Sequence, residues 1–180
     1  MPAEWTPYLH LLWTIPLAHV YCTAMEWIVH RFVFHGLGKR KGSRFRFHYH
    51  DHHKACRRQA GGDDAYEGSM FAWNAYGREV LGLVVGGLIH LPVAFIYPPI
   101  SAITYVYMLW RGFEYHRIHK KSHLDPEWCR EHLPGHWDHH MTPHNDANWC
   151  VTNDWFDKLV GTRKVYVPKD QREQAASPAK

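Results

Sequence analysis

The sequence predicts an all-α protein embedded in a membrane, with histidine-rich helices gathered on its cytoplasmic side. Three observations carry that expectation: long apolar runs free of basic residues, a segregated charge map, and histidines repeated at helical spacings. Of 180 residues, 17 are histidine, several-fold more than an ordinary soluble domain carries. They cluster through the middle of the chain and do not form a terminal tag.

Residues 8–29 (YLHLLWTIPLAHVYCTAMEWIV) contain no Lys or Arg. Residues 80–97 (VLGLVVGGLIHLPVAFIY) form a cleaner apolar run, and residues 98–110 follow at once, short before Arg111 interrupts them. A bilayer core needs about 20 helical residues, which the first two runs reach. Pro98 and Pro99 mark the tip of a helical hairpin, since proline breaks a helix but suits its first turn. A mean hydropathy of −0.46 would fit a buried soluble helix pair instead. The charge map argues for the membrane: all 21 Lys and Arg fall within residues 31–78 or 111–180. Basic residues collect on the cytoplasmic side. That places the N-terminus outside, residues 31–78 and the C-terminal region in the cytoplasm, and a hairpin in the bilayer between them. The chain is therefore expected to be an integral, multi-pass membrane protein. The first run has no charged n-region and no small-residue cleavage site, so it reads as an anchor. Length allows one domain, residues 1–167, followed by a disordered tail, 168–180. The net charge of +4 does not call for a nucleic-acid partner. Cys22, Cys56, Cys129 and Cys150 are far apart with no C-x-x-C pair, and read as reduced thiols.

Each apolar run leads into histidines. The first leads to His30 and His35, then to His48, His50, His52 and His53. The third leads to His116, His119 and His123, then to His136, His139 and His140. Helix positions i, i+3 and i+4 share a face. His136, His139 and His140 are thus expected to converge on one point. His119 and His123 pair, and so do His48 and His52 with His53 beside them; His30 and His35, five apart, are looser. Neutral imidazole is a strong ligand for Zn, Fe, Cu and Ni. Ten imidazoles are too many for one ion but give two ions about five each, leaving an octahedral ion one open position. A structural zinc site would be closed at four.

The four boxes HRFVFH, HYHDHH, HKKSH and HWDHH, with the later run NWCVTNDWFDKLVGTR, resemble the fatty acid hydroxylase/sterol desaturase superfamily of integral-membrane di-iron oxygenases over most of the chain. The resemblance implies ten metal ligands: His30, His35, His48, His52, His53, His119, His123, His136, His139 and His140. It implies two Fe ions, with Zn able to replace them in purified samples, and O₂ as co-substrate. It implies hydroxylation or desaturation of an unactivated C–H bond in a fatty acyl or sterol-like lipid, with a carotenoid as the alternative substrate. The chain has no G-x-G-x-x-G and no haem-domain pattern, so electrons would come from a separate ferredoxin or cytochrome b5-like donor. Three departures stand out. His50 competes within the second box, His116 lies three residues before His119, and fewer apolar helices are visible than the family's usual four.

His10, His19 and His90 lie inside apolar runs and read as packed, hydrogen-bonded residues. His132 and His144 flank the fourth box without a decided role. Asp51 and Asp138 are candidates to accept the second N–H of a ligating histidine, the alternative being plain surface charge. The acidic run DDAYE, residues 63–67, reads as a loop or a partner-docking site. A non-catalytic membrane metal-binding or transport protein is the rival class, but its ligands would sit at the bilayer midplane. A soluble zinc hydrolase lacks its H-E-x-x-H motif here.

Overall fold

The computed structural model describes residues 11–96, 100–142 and 145–167. His10, His144, the Pro98–Pro99 hairpin tip and the tail at 168–180 lie outside them. Among the described residues every regular element is helical. Helix α1 (Leu11–Ile28) continues without a break into a π-helical segment, Val29–Leu37. A second π-helical segment, Phe47–His52, runs into α2 (His53–Arg58). Then come α3 (Ala75–His90), α4 (Ile100–Leu124), α5 (Pro126–His132), α6 (Pro134–Met141) and α7 (Trp155–Leu159).

Local chemistry sets several boundaries. Asn74 caps α3 by accepting from the Gly77 N–H (3.0 Å), and Asp125 caps α5 by accepting from the Trp128 N–H (3.1 Å). Pro126 and Pro134 sit where a helix start tolerates proline. Side chains also tie α1, α3 and α4 together. His19 and Tyr107 join α1 to α4 (2.9 Å), and Tyr21 donates to His90 Nε2 on α3 (2.8 Å). Tyr105 donates to the Gly87 carbonyl (3.1 Å), linking α4 to α3. His19 and His90 are thus packed, hydrogen-bonded residues.

This three-helix region is turned outward. The buried side chains of α1 are small: Thr14, Ala18 and Thr23. Small residues let helix backbones approach closely. The large apolar side chains face away: Leu12, Trp13, Leu88, Ile89, Val106 and Phe113 are each more than 60% exposed. One described helix, Ala75–Phe95, is long and apolar enough to cross a membrane. The described part of the first run does not join it, for its composition and not for its length. Helix α1 has 18 residues, and Thr14, Pro16, His19, Thr23 and Glu26 interrupt its apolar character. Helix α4 is mixed along its length. Its 25 residues, about 37 Å at 1.5 Å each, begin apolar and end at His119 and His123. It links the apolar region to the histidine-rich one.

Candidate metal centre

The ten histidines of the four boxes are all buried, and they form two adjoining clusters of five. The first holds His30, His35, His48, His53 and His139, with their ligand atoms within 4.8 Å of one another. The second holds His52, His119, His123 and His140 on the same criterion. His136 joins it, its Nε2 3.1 Å from that of His123. The clusters meet through His53 and His140, whose ring centroids are 4.4 Å apart.

The π-helical segments explain the first cluster. A π-helix bonds i to i+5. His30 and His35 lie five apart on one such segment, and their ring centroids are 5.0 Å apart. The spacing that looks loose on an α-helix becomes one turn here. His48 and His53 are also five apart and face the same cluster, 4.9 Å between centroids. His52, between them, turns to the second cluster. The fourth box divides too, against the expectation of a single convergence point. His136 and His140 share the second cluster, 4.5 Å between centroids, while His139 faces the first. On an α-helix successive residues are rotated by about 100°, so His139 and His140 diverge toward different centres.

Burial, and after it the neighbouring imidazoles, favour the neutral form of nine of these rings. His30 is pushed down to about 4, its main opposing influence being the Trp149 carbonyl. His35, His48, His53, His119, His123, His136, His139 and His140 all lie well below the usual range, again mainly through desolvation. Five of the ten spend their Nδ1 proton on a fixed acceptor. His30 donates to the Trp149 carbonyl (2.6 Å), His139 to Ala147 (2.6 Å) and His123 to Gly61 (2.9 Å). His52 donates to Asp63 (2.7 Å) and His119 to Glu79 (2.8 Å). In a neutral ring that leaves Nε2 as a bare lone pair. These lone pairs face one another. The His35–His53, His35–His139 and His53–His139 Nε2 separations are 3.0, 3.1 and 3.2 Å. Neither ring nitrogen of buried His140 has a partner, and the Nδ1 atoms of His35, His53 and His136 have none.

Such a donor set fits a cation. Adjacent ligands of a six-coordinate ion at about 2.1 Å would be about 3.0 Å apart, and those of a tetrahedral ion about 3.4 Å. The observed contacts of 2.9–3.2 Å, including His30–His48 at 2.9 Å and His119–His123 at 3.0 Å, match the six-coordinate value. These buried histidine groups could therefore hold metal ions.

The remaining candidates fall elsewhere. His50 points away and donates to the Lys39 carbonyl (3.1 Å) on the exposed side. His116 stacks on Tyr76, with centroids 5.5 Å apart, and His132 donates to the Trp128 carbonyl (3.1 Å) on the surface. Asp138 pairs with Arg163 (2.7 Å), and Asp51 is an exposed partner of Arg46 (4.0 Å). Neither carboxylate orients a clustered histidine. Asp63 and Glu79 do so instead, and Tyr66 donates to Glu79 as well (2.5 Å). Glu79 has a sequence signal: it is the sole acidic residue between Glu67 and Glu114, at the lip of an apolar run. A carboxylate there is costly without a partner. Asp63 belongs to the run read as a loop or docking site, and nothing in its spacing marks it. Gly61, at φ +99°, presents its carbonyl to His123 in a conformation that favours glycine; a Cβ there would lie 2.3 Å from the Trp137 ring.

The run after the fourth box braces the centre. Buried Asp157 accepts from the Trp149 N–H (2.9 Å), the Cys150 N–H (2.8 Å) and the Thr162 hydroxyl (2.6 Å). Asn148, at φ +60°, pairs both ways with the Lys164 backbone. Glu26 of α1 accepts from the N–H groups of Val151 and Thr152. Together these fix the strand of chain whose Ala147 and Trp149 carbonyls hold His139 and His30. All four cysteines are free thiols.

A cavity of about 750 Å³ lies between α1, α3 and α4. Its walls are mostly apolar, and it reaches His30 and Glu79 at its polar end. Compared with protein-family models, curated proteins and solved structures, the chain matches none.

Proposed function

We propose that this chain is a membrane-bound di-iron oxygenase that hydroxylates or desaturates an unactivated C–H bond of a lipid. The observation that carries the proposal is the pair of buried five-histidine clusters beside an apolar cavity. His30, His35, His48, His53 and His139 would hold one iron; His52, His119, His123, His136 and His140 would hold the other. When bound, such an iron pair supplies O₂ activation and removal of a hydrogen atom from carbon. Five imidazoles per ion would leave room for a further ligand, unlike a structural site closed at four.

The protein's own residues do the positioning. Asp63, Glu79 and the carbonyls of Gly61, Ala147 and Trp149 fix ring orientation and tautomer, which raises ligand basicity. The cavity, lined mostly by apolar side chains, would hold an apolar chain with one end near His30. Its position among α1, α3 and α4, whose large apolar side chains face outward, suits a substrate arriving sideways from a bilayer. In this reading α1 and α4 accompany α3 in the membrane, and the centre lies on the cytoplasmic face, where the basic segments collect. Electrons come from a separate ferredoxin or cytochrome b5-like protein. The substrate class is a fatty acyl or sterol-like lipid, with a carotenoid as the alternative. The clusters lie at the ends of the apolar helices, which disfavours a transporter.

The test is growth of a host with and without the chain under ¹⁸O₂, followed by mass spectrometry of its lipids. The expected result is a lipid carrying one ¹⁸O or lacking two hydrogens, present with the wild type and absent with His139→Ala. An unchanged lipid profile in an iron-replete host supplied with an electron donor contradicts the proposal.

A further inference from the structure

The two clusters differ in what stands behind them. In the first, the identified acceptors for Nδ1–H are neutral carbonyls, Trp149 for His30 and Ala147 for His139. Each cluster also has two rings without an Nδ1 partner, His35 and His53 in the first and His136 and His140 in the second. In the second, two ligands are backed by buried carboxylates. His52 donates to Asp63, which is 5% exposed, and His119 donates to Glu79, which is 4% exposed. The carboxylates are anchored differently. Asp63 turns Oδ2 to His52 and accepts from the Ala65 N–H with Oδ1 (3.0 Å), whereas Glu79 accepts from both His119 and Tyr66 with Oε2.

We infer that the second cluster, through Asp63 and Glu79, is the tighter of two inequivalent metal positions and fills first. A carboxylate behind an imidazole draws its N–H proton and leaves more electron density on Nε2. Asp63 also places negative charge near the cation in a medium where screening is weak, whereas the part of Glu79 is that of an acceptor for His119. The first cluster has the same number of imidazoles but carbonyl dipoles in place of carboxylates. Five rings against five rings would otherwise make the positions alike. Asp63 and Glu79 touch no reacting atom in this account; they are positioning residues that act through His52 and His119. The inference rests on the two-ion reading above.

The test uses Co²⁺ alone, titrated into the metal-free full chain in detergent and followed by its visible ligand-field spectrum. The wild type should bind two ions in two steps whose affinities differ at least about tenfold, the usual effect of an outer partner being about 10–100-fold. With one equivalent added, His35→Ala should retain the wild-type spectrum and affinity, whereas His123→Ala should lose the tight step. Asp63→Asn keeps the shape and an acceptor oxygen but removes the charge. It should weaken the tight step by about 10–100-fold and leave the weak step unchanged, with Asp63→Glu partly restoring it. Asp51→Asn, on the exposed surface, should change neither. Two steps of equal affinity in the wild type, which needs no variant to fold, overturn the inference. So does first filling that His35→Ala abolishes and His123→Ala spares. Binding of fewer than two ions at saturation contradicts the two-ion reading itself, which separates the two failures.

Discussion

Acid should unfold the metal-free chain over a narrow range just below pH 6.5. Nine of the clustered histidines, all but His52, have pKa values lowered by burial first and by neighbouring charges second. In the unfolded chain each returns to about 6.5. Below that pH the unfolded chain takes up protons that the folded chain refuses. Stability is therefore complete above the unfolded value and is lost as pH falls below it. For His30 the loss continues down to its folded value of about 4. Each group contributes about 1 kcal/mol per pH unit, and nine acting independently contribute roughly 10 kcal/mol per unit. A typical domain has only about 5–15 kcal/mol to lose. The expected acid midpoint thus lies about one pH unit below 6.5. The nine tryptophans make intrinsic fluorescence in detergent, after chelator stripping, a direct assay. Two bound ions should move the midpoint to lower pH, because they stabilise the folded chain by mass action. A metal-free midpoint below about pH 4.5 would refute the reasoning, since nine buried neutral imidazoles cannot coexist with that resistance.

Three further outcomes follow from particular contacts. Asp157→Ala removes an acceptor shared by three donors at 2.6–2.9 Å, and should cost about 3–9 kcal/mol at about 1–3 kcal/mol per orphaned buried group. At about 2–4 °C per kcal/mol the melting temperature should fall by roughly 6–36 °C, read by circular dichroism, and a drop under about 3 °C would contradict the bracing role. His139→Ala should abolish turnover and lower metal content, whereas His50→Ala, which loses only a surface bond to Lys39, should keep most of both; elemental analysis beside an activity assay decides between the two positions. Gly86→Trp projects a ring into the cavity from a position where a Cβ meets nothing within 4 Å. It should reduce lipid retained after detergent exchange, measured by mass spectrometry, while leaving metal content intact, and undiminished lipid would argue against the cavity as the substrate site.

Much of the centre was legible because histidine is costly to bury in numbers without a shared purpose, and its spacing betrays helix faces. His119 with His123 and the fourth box were readable in this way, whereas His30 and His35 looked loose, His50 competed within the second box, and the full set of ten came from the family resemblance. The partition between two clusters was not legible. It depends on π-helical turns at His30–His35 and His48–His53, and a run of side chains carries no mark of an i, i+5 backbone. The carboxylates were misread for a related reason. Asp51 and Asp138 are neighbours of the ligands in sequence, yet a helix points adjacent residues in different directions, and the ring nitrogens are met instead from Asp63 and Glu79 on other elements. The all-helical class followed from periodicity. Among the apolar runs, the one containing α3 was the clearest in sequence, and the continuous helical stretch Ala75–Phe95 is the one whose length and composition suffice. Helix α1 mixes polar and apolar residues, so its placement depends on packing against α4 that no window average captures.

The account stands most directly on the number of irons the folded chain holds. Protein purified anaerobically with excess Fe²⁺, then desalted and analysed for iron and protein, should contain close to two irons per chain. The count should fall toward one in His35→Ala and in His123→Ala alike, since each variant removes a ligand from a different cluster. A wild-type value near one or below, unchanged by further iron, would contradict the two five-histidine centres on which the proposed chemistry depends.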